Sequence, residues 1–249
     1  MTLVESSAPA AGLGAVTVES WGLTRKGGTR DQNQDAFLNW PARLLWSVAD
    51  GVGGGRSGDA ASKHLMRNLM QAPAPTSLDA HIGNVRHLLD RSNHELRRGS
   101  HGEAASTVVA LLIHGGCAAC LWSGDSRCYL LRGDVLYQCT RDHTLRQLKV
   151  ERRELTVHEA ERMVRGNVVT RAVGAEDVLR LELSCFSLRR GDRFLLCSDG
   201  LSQCLSPQVL ASHLARTCAR EAALGLAEAA RMRAHRDDVT IVTVFLSGR

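Results

Sequence analysis

Between Ser106 and Cys139 four short apolar runs follow one another: Thr107 to Ile113, Cys117 to Trp122, Arg127 to Leu131 and Val135 to Cys139. Only Gly115-Gly116, Gly124 and Gly133-Asp134 separate them to any purpose. Such runs are too short for helices, and glycine allows tight reversals, so this stretch predicts an antiparallel β meander. A chain with that centre is not a succession of βαβ units.

The flanking sequence adds strands and amphipathic helices. Ala15 to Leu23 alternates Val16, Val18 and Trp21 with polar residues, as a half-buried strand does. A polar, glycine-led loop from Gly27 to Asp35 leads into Ala36-Phe37-Leu38, and a second strand from Leu44 to Ala49 follows closely enough to pair with it. Ala61, Leu65 and Leu69 mark one face of a helix ending before Pro73. Thr76 to Asp79 resembles a capping box, and Leu78, Ile82, Val85, Leu89 and Leu96 continue at helical spacing. A second box pattern lies at Thr156 to Glu159. Strands are expected at Leu179 to Phe186, Phe194 to Cys197 and Val239 to Phe245. Helices are expected from Ser206-Pro207 and over Arg220 to Arg233.

With 249 residues, 44% of them hydrophobic, and no Pro- or Ser-rich linker, one domain over 12–249 is the natural reading. Met1 to Ala11 lacks a basic start and apolar block, and is expected to be a disordered tail rather than a secretory signal. A dispersed charge of +5 does not suggest nucleic-acid binding, and no apolar run is as long as a membrane span. The eight cysteines sit mostly among apolar neighbours, which suits buried thiols in a reducing cytoplasm. Cys117-Ala-Ala-Cys120 lies in a strand pattern, where residues three apart point to opposite faces, and no second such pair completes a zinc site.

The chemistry is concentrated in four acids. Leu44 to Gly58 is an apolar strand that stops at Asp50 and turns at once through glycines. Asp125, Asp199 and Asp237 likewise stand at strand-loop junctions. Any one of them alone would serve as a turn cap. Brought together, they would be untenable without cations, because an uncompensated buried ion costs several kcal/mol. Oxygen-only ligands point to Mg²⁺ or Mn²⁺ rather than zinc. Two such ions would polarise a water for in-line attack at phosphorus.

The ordered set of motifs resembles the metal-dependent serine/threonine protein phosphatases of type 2C, in their small bacterial form. The matching stretches are Arg30-Asp-Gln-Asn-Gln-Asp35, Asp50-Gly-Val-Gly-Gly54, Ala105-Ser-Thr107 and Ser123-Gly-Asp-Ser-Arg127. Further on come Thr140-Arg-Asp-His143, Thr170-Arg-Ala-Val-Gly174, Leu195 to Leu201 and Arg236-Asp-Asp-Val-Thr-Ile241. The resemblance implies an α+β fold, a four-layer α-β-β-α sandwich of two antiparallel sheets flanked by helices. It further implies that Asp50 bridges two metal ions, that the Gly51 carbonyl binds the second, and that Asp199 and Asp237 complete the first. Asp35 would hold waters in the outer shell, Asp125 would help bind a third, weaker ion, and Arg30 would grip the substrate phosphate. The family's mobile flap corresponds to about 144–168. Between Arg141 and Arg171 eight basic residues face five acidic ones, a surplus that would attract acidic, phosphorylated segments.

Four positions depart from the pattern. Gln34 stands where many members have Glu, and Val52 where animal members often have a histidine proposed as general acid. Asp238 replaces the usual Asn, and Gln203 sits where some members place a further acid for the third metal. His143 has no metal-ligand spacing and is expected to support its loop. The function implied is hydrolysis of phosphoserine and phosphothreonine on proteins by a metal-activated water, with no phosphoenzyme, by a cytoplasmic monomer that reverses a cognate serine/threonine kinase. Forkhead-associated signalling proteins, as in type VI secretion control, are among the partners implied. Two rivals remain open at this point. One is a catalytically dead phosphoprotein binder. The other is a dinucleotide-binding oxidoreductase, suggested by the GxGxxG spacing of Gly53 to Gly58 but leaving Asp125, Asp199 and Asp237 without purpose.

Overall fold

The computed structural model describes residues 4–8, 16–28, 31–53, 56–100, 103–164, 168–233 and 237–248. Along them run β1 (Val4–Ala8), β2 (Val16–Arg25), β3 (Asp35–Trp40), β4 (Leu45–Val52), α1 (Arg56–Leu69), α2 (Leu78–Ser100), β5 (Ala105–Ser106), β6 (Val108–His114), β7 (Cys117–Ser123), β8 (Arg127–Arg132) and β9 (Val135–Gln138). There follow α3 (Leu145–Glu151), α4 (Val157–Met163), β10 (Glu182–Ser187), β11 (Arg193–Cys197), α5 (Asp199–Ser202), α6 (Pro207–Leu214), α7 (Ala219–Met232) and β12 (Val239–Gly248).

The strands form two antiparallel sheets, ordered β1-β2-β12-β11-β8-β9 and β10-β7-β6-β4-β3, with the short β5 pairing with β4. Alternation along β4 shows how the layers arise. Trp46 and Val48 enter the core between the sheets, with Val109, Leu111, Phe194, Leu196 and Val242. Leu45 and Ala49 point the other way, onto Leu65 and Leu69 of α1 and Leu89 of α2. A strand covered on both faces must be apolar at every position, which is why Leu44 to Ala49 shows no polar alternation beyond Ser47. The hydroxyl of Ser47 donates to the Val109 carbonyl at 2.9 Å, satisfying it in place. On the outer face of the other sheet, Leu23, Leu195 and Ile241 meet Leu210, Leu214 and Leu226 from α6 and α7. The four-layer α-β-β-α arrangement follows.

Several expectations shift in detail. Val4–Ala8, expected within a disordered tail, pairs antiparallel with β2, Val4 opposite Thr24 through Ala8 opposite Ser20. An added edge strand is held by backbone hydrogen bonds, which leave little mark on side-chain pattern. The capping box expected at Thr76 is instead a one-way cap one residue later, where the Ser77 hydroxyl accepts from the Ala80 N–H at 3.0 Å and Ala80 has no side chain to return the bond. The box at Thr156 and Glu159 is complete in both directions. The meander is real but divided. β6 and β7 belong to one sheet, β8 and β9 to the other, and the chain crosses between them at Gly124. Gly124 has φ +115°, and a Cβ there would run into Thr107, so a side chain is excluded at this crossing. Every strand pair among the described residues is antiparallel, which removes the sheet that a dinucleotide-binding reading requires. Among the described residues no helix is long and apolar enough to cross a membrane.

Candidate metal centre

The register of β3 against β4 sets Asp35 directly opposite Asp50 where both strands reach the edge of the layer. The backbone of Asp50 is held on both sides by the Ala105-Ser-Thr107 segment. Its N–H donates to Thr107 Oγ1 at 3.0 Å, and its carbonyl accepts from the Thr107 N–H at 2.8 Å and from Ser106 Oγ at 3.0 Å. Beyond it, Gly51 lies so close to the start of α1 that a Cβ would overlap the Gly58 backbone. Only glycine permits this approach.

The other sheet brings its acids to the same edge. Ser198, between β11 and α5, donates to Asp35 Oδ2 at 2.7 Å and accepts from the Thr240 N–H at 3.0 Å. It thereby ties the two sheets together beneath Asp199. Gln203 Nε2 donates to Asp199 Oδ2 at 2.7 Å. Asp125 follows the crossing at Gly124 and is buried. Beside it Arg127 makes a two-pronged pair with Asp142, at 2.8 and 2.6 Å.

The charges of these acids are felt mutually. Asp50 is half-buried by its own surface but enclosed by the surrounding elements. Burial, then the charges of Asp35, Asp199, Asp125 and Asp237, push its carboxyl well above the usual range. Burial raises Asp35 to about 7 against hydrogen bonds from Ser198 and Thr240 that favour the anion, and Asp238 and Asp199 add to the rise. Burial and the charge of Asp199 raise Asp125 to about 8. One oxygen of Asp35, Oδ1, is buried with no hydrogen-bond partner. Crowded carboxylates and an orphaned acceptor are what a hard divalent cation would satisfy, and the donor set is all oxygen, so the residues present fit Mg²⁺ or Mn²⁺. Among the described residues no three acid, imidazole or thiol groups already stand at the mutual spacing of a metal's ligands.

A cleft of about 180 Å³ opens beside Asp125 and Asp199, lined also by Arg127, Asp142, Arg146 and Gln147. Its far wall is α3 and α4, the segment expected as a flap. Thr144 caps α3 by accepting from the Gln147 N–H at 3.2 Å. His143 accepts from the Gly124 N–H at Nδ1, 3.1 Å, stacks on Trp122, and sets Nε2 3.0 Å from Glu182. It braces the loop, as its lack of ligand spacing suggested. Arg30 lies outside the described residues.

With this geometry in view, the model of the family described as protein phosphatase 2C matches residues 26–239. The chain belongs to the protein phosphatase 2C family. Membership makes it a metal-dependent serine/threonine protein phosphatase. Among its relatives, the protein phosphatase PhpP of Streptococcus pneumoniae is 33% identical over 195 residues, covering 74% of this chain and 79% of PhpP. The serine/threonine protein phosphatase PstP of Mycobacterium tuberculosis is 33% identical over 229 residues, covering 87% of this chain and 43% of PstP. The structure of PppA, a key regulatory component of the type VI secretion system in Pseudomonas aeruginosa, superposes with a TM-score of 0.84 at 35% identity. That match covers 91% of this chain and 96% of PppA. The catalytic domain of PstP in complex with two manganese ions superposes with a TM-score of 0.81 at 28% identity over 93% of this chain and 99% of that one.

Four residues of this type 2C phosphatase had no assigned role on sequence grounds. Ser198 and Thr107 lie inside quoted motifs, but their hydrogen bonds reach elements 163 and 57 residues away. Gln203 was legible only as the absence of an acid, whereas its amide holds Asp199. Asp238, noted without a role, is buried against backbone N–H groups of the loop before β3.

Proposed function

We propose that this chain removes phosphate from phosphoserine and phosphothreonine in proteins, at a centre in which Asp50, the Gly51 carbonyl, Asp199 and Asp237 hold two divalent ions, Mn²⁺ or Mg²⁺. Asp35 holds water around them, and Asp125 contributes to a third, weaker ion. The bound ions supply Lewis acidity, which makes water a nucleophile at neutral pH and offsets charge on the phosphoryl oxygens. The chain's own residues do the rest. Arg30 takes the phosphate oxygens in a guanidinium fork and orients phosphorus for in-line attack. Val52, half-buried after Gly51, has no proton to give, so the leaving alkoxide takes one from water in the cleft. The cleft between Asp125 and α3–α4 receives the peptide flanking the phosphoresidue.

The observation that carries this reading is the carboxyl of Asp50 standing among the charges of four other aspartates contributed by separate elements. Its partners are phosphoproteins and the serine/threonine kinase that marks them, in the cytoplasm, with the enzyme acting as a monomer. The likeness to PppA, a regulatory component of type VI secretion, supports a place in control of such a system, with forkhead-associated proteins, the class implied by the sequence resemblance, as substrates. The purified protein is expected to release phosphate from a phosphothreonine peptide on addition of Mn²⁺ and to stop on addition of chelator, while a phosphotyrosine peptide stays intact. Tight phosphopeptide binding without turnover would instead identify a dead binder. Arg30→Ala is expected to raise KM for the peptide about ten- to a hundredfold with a smaller change in kcat, the size of one lost charge-assisted contact.

A further inference from the structure

We propose that the open side of the sandwich, between the edge strands β9 and β10, is a docking groove for the substrate segment flanking the phosphoresidue, and that its far end takes an apolar, best an aromatic, side chain. This rests on the phosphatase reading given above and adds a sequence preference to it. β9 ends one sheet and β10 ends the other, so each has an outer edge with no neighbouring strand. An extended peptide laid between them can pair with such an edge.

One face of β10 lines this groove. Glu182, Ser184 and Phe186 stand opposite Trp122, Cys120 and Ala118 of β7, all three of which belong to the core between the sheets. Directly opposed residues share a face, so the β10 residues also turn toward the gap, half-buried in alternation with exposed Leu183, Cys185 and Ser187. Across the gap, Tyr137 of β9 stands opposite Leu130, another residue of that core. Here the core between the sheets reaches the surface. Phe186 stacks on Phe194 with ring centres 5.7 Å apart, yet Tyr137 is 51% exposed. A half-exposed ring beside an apolar floor is a seat that a visiting side chain completes.

The groove is continuous with the cleft beside Asp125 and Asp199. Three cavities follow one another, of about 180, 630 and 510 Å³. Arg127, Asp142 and Gln147 line both the first and the second. Gln138, Cys139 and Ser184 line both the second and the third, where Tyr137 and Phe186 lie. Charges along the way are already answered. Arg127 pairs with Asp142 at 2.6 Å, Glu182 with Arg171 at 2.9 Å, and Arg132 with Asp192 at 2.7 Å. Walls neutralised in this way ask for no counter-charge and favour backbone and apolar contacts. From Glu182 to Phe186 the strand covers about 13 Å, so the apolar seat lies at least roughly four extended residues from the phosphoresidue.

The test assays the protein in Mn²⁺ on phosphothreonine peptides of glycine and serine, each with a single phenylalanine roughly three to eight residues away on one side or the other. One placement is expected to lower KM about tenfold against the peptide without phenylalanine, as partial burial of one ring allows. Tyr137→Asp should erase that gain while turnover of p-nitrophenyl phosphate, too small to reach the groove, stays within about twofold of the parent. No advantage at any placement, or an advantage that survives both Tyr137→Asp and Phe186→Ser, overturns the proposal. So does self-association of the parent that Tyr137→Asp abolishes, which would give the groove to a second copy of the chain. If not even p-nitrophenyl phosphate is hydrolysed, the phosphatase reading fails, and the groove is judged by fluorescence anisotropy of the same peptides, labelled, in chelator. There the favoured placement should bind the parent and be released by Tyr137→Asp, and equal binding of all placements refutes the groove.

Discussion

Asp50→Ala lowers Mn²⁺-dependent turnover of a phosphothreonine peptide by at least about a thousandfold, while Asp50→Asn, measured in chelator, melts higher than the parent protein. The two effects have opposite signs for one reason. Asp50 stands among Asp35, Asp199, Asp125 and Asp237, and burial with their charges pushes its carboxyl well above the ordinary range. A carboxyl held that way strains the metal-free fold, and its neutral isostere relieves the strain. In the proposed function the same oxygens would hold the divalent ions that activate water, and losing them would forfeit roughly 4 kcal/mol of transition-state stabilisation. For a chain of this size, each kcal/mol regained in the metal-free state reads as about 2–4 °C. Activity assays and thermal melts on two variants check both halves. Near-parental turnover in Asp50→Ala, or a lower melting point for Asp50→Asn in chelator, contradicts the assignment.

The metal-free protein should also lose stability as pH rises from about 5 to about 8, the reverse of ordinary salt-bridged carboxylates. Asp35 is raised to about 7 and Asp125 to about 8, both from 3.8. Between the unfolded and folded values the native state holds more protons than the unfolded chain. Stability therefore falls with rising pH through that window and levels off above it. A shift of this size corresponds to a loss on the order of a few kcal/mol, or roughly 10 °C in melting temperature. In excess Mn²⁺ the trend should invert, because deprotonated acids bind the ion better. Melts in chelator at four pH values, repeated with Mn²⁺, test the sign directly. A melting point in chelator that rises from pH 5 to pH 8 would mean the acids do not crowd one another.

Much of this site was legible along the chain because its parts are local. The apolar run before Asp50 declared the strand, although β4 continues through Asp50 to Val52 by pairing with β5, beyond the end expected at Ala49. At Asp199 the run does stop, β11 ending at Cys197. Asp35 illustrates the limit. The sequence marks a strand beginning there, but the register that sets it opposite Asp50 is decided by pairing. The crossing at Gly124 was hidden for a related reason. Its glycine resembles the hairpin glycines at 115 and 133, and only the packing of Thr107 distinguishes a change of sheet from a turn. The edge strand Val4–Ala8 is backbone pairing, with no side-chain rhythm to announce it. Asp238 grips Gly27 across 211 residues, a distance no local pattern can signal.

Titration of the metal-free protein with Mn²⁺ by calorimetry, in two buffers of different ionisation enthalpy at pH 7, tests the acid cluster most directly. Two ions should bind per chain with release of protons, since Asp35 and Asp125 are raised to about 7 and about 8 and must surrender protons to a cation. Asp50→Ala should abolish that signal. Binding that releases no protons and survives the loss of Asp50, or no binding at all, would mean that the aspartates gathered at this sheet edge are not a metal centre.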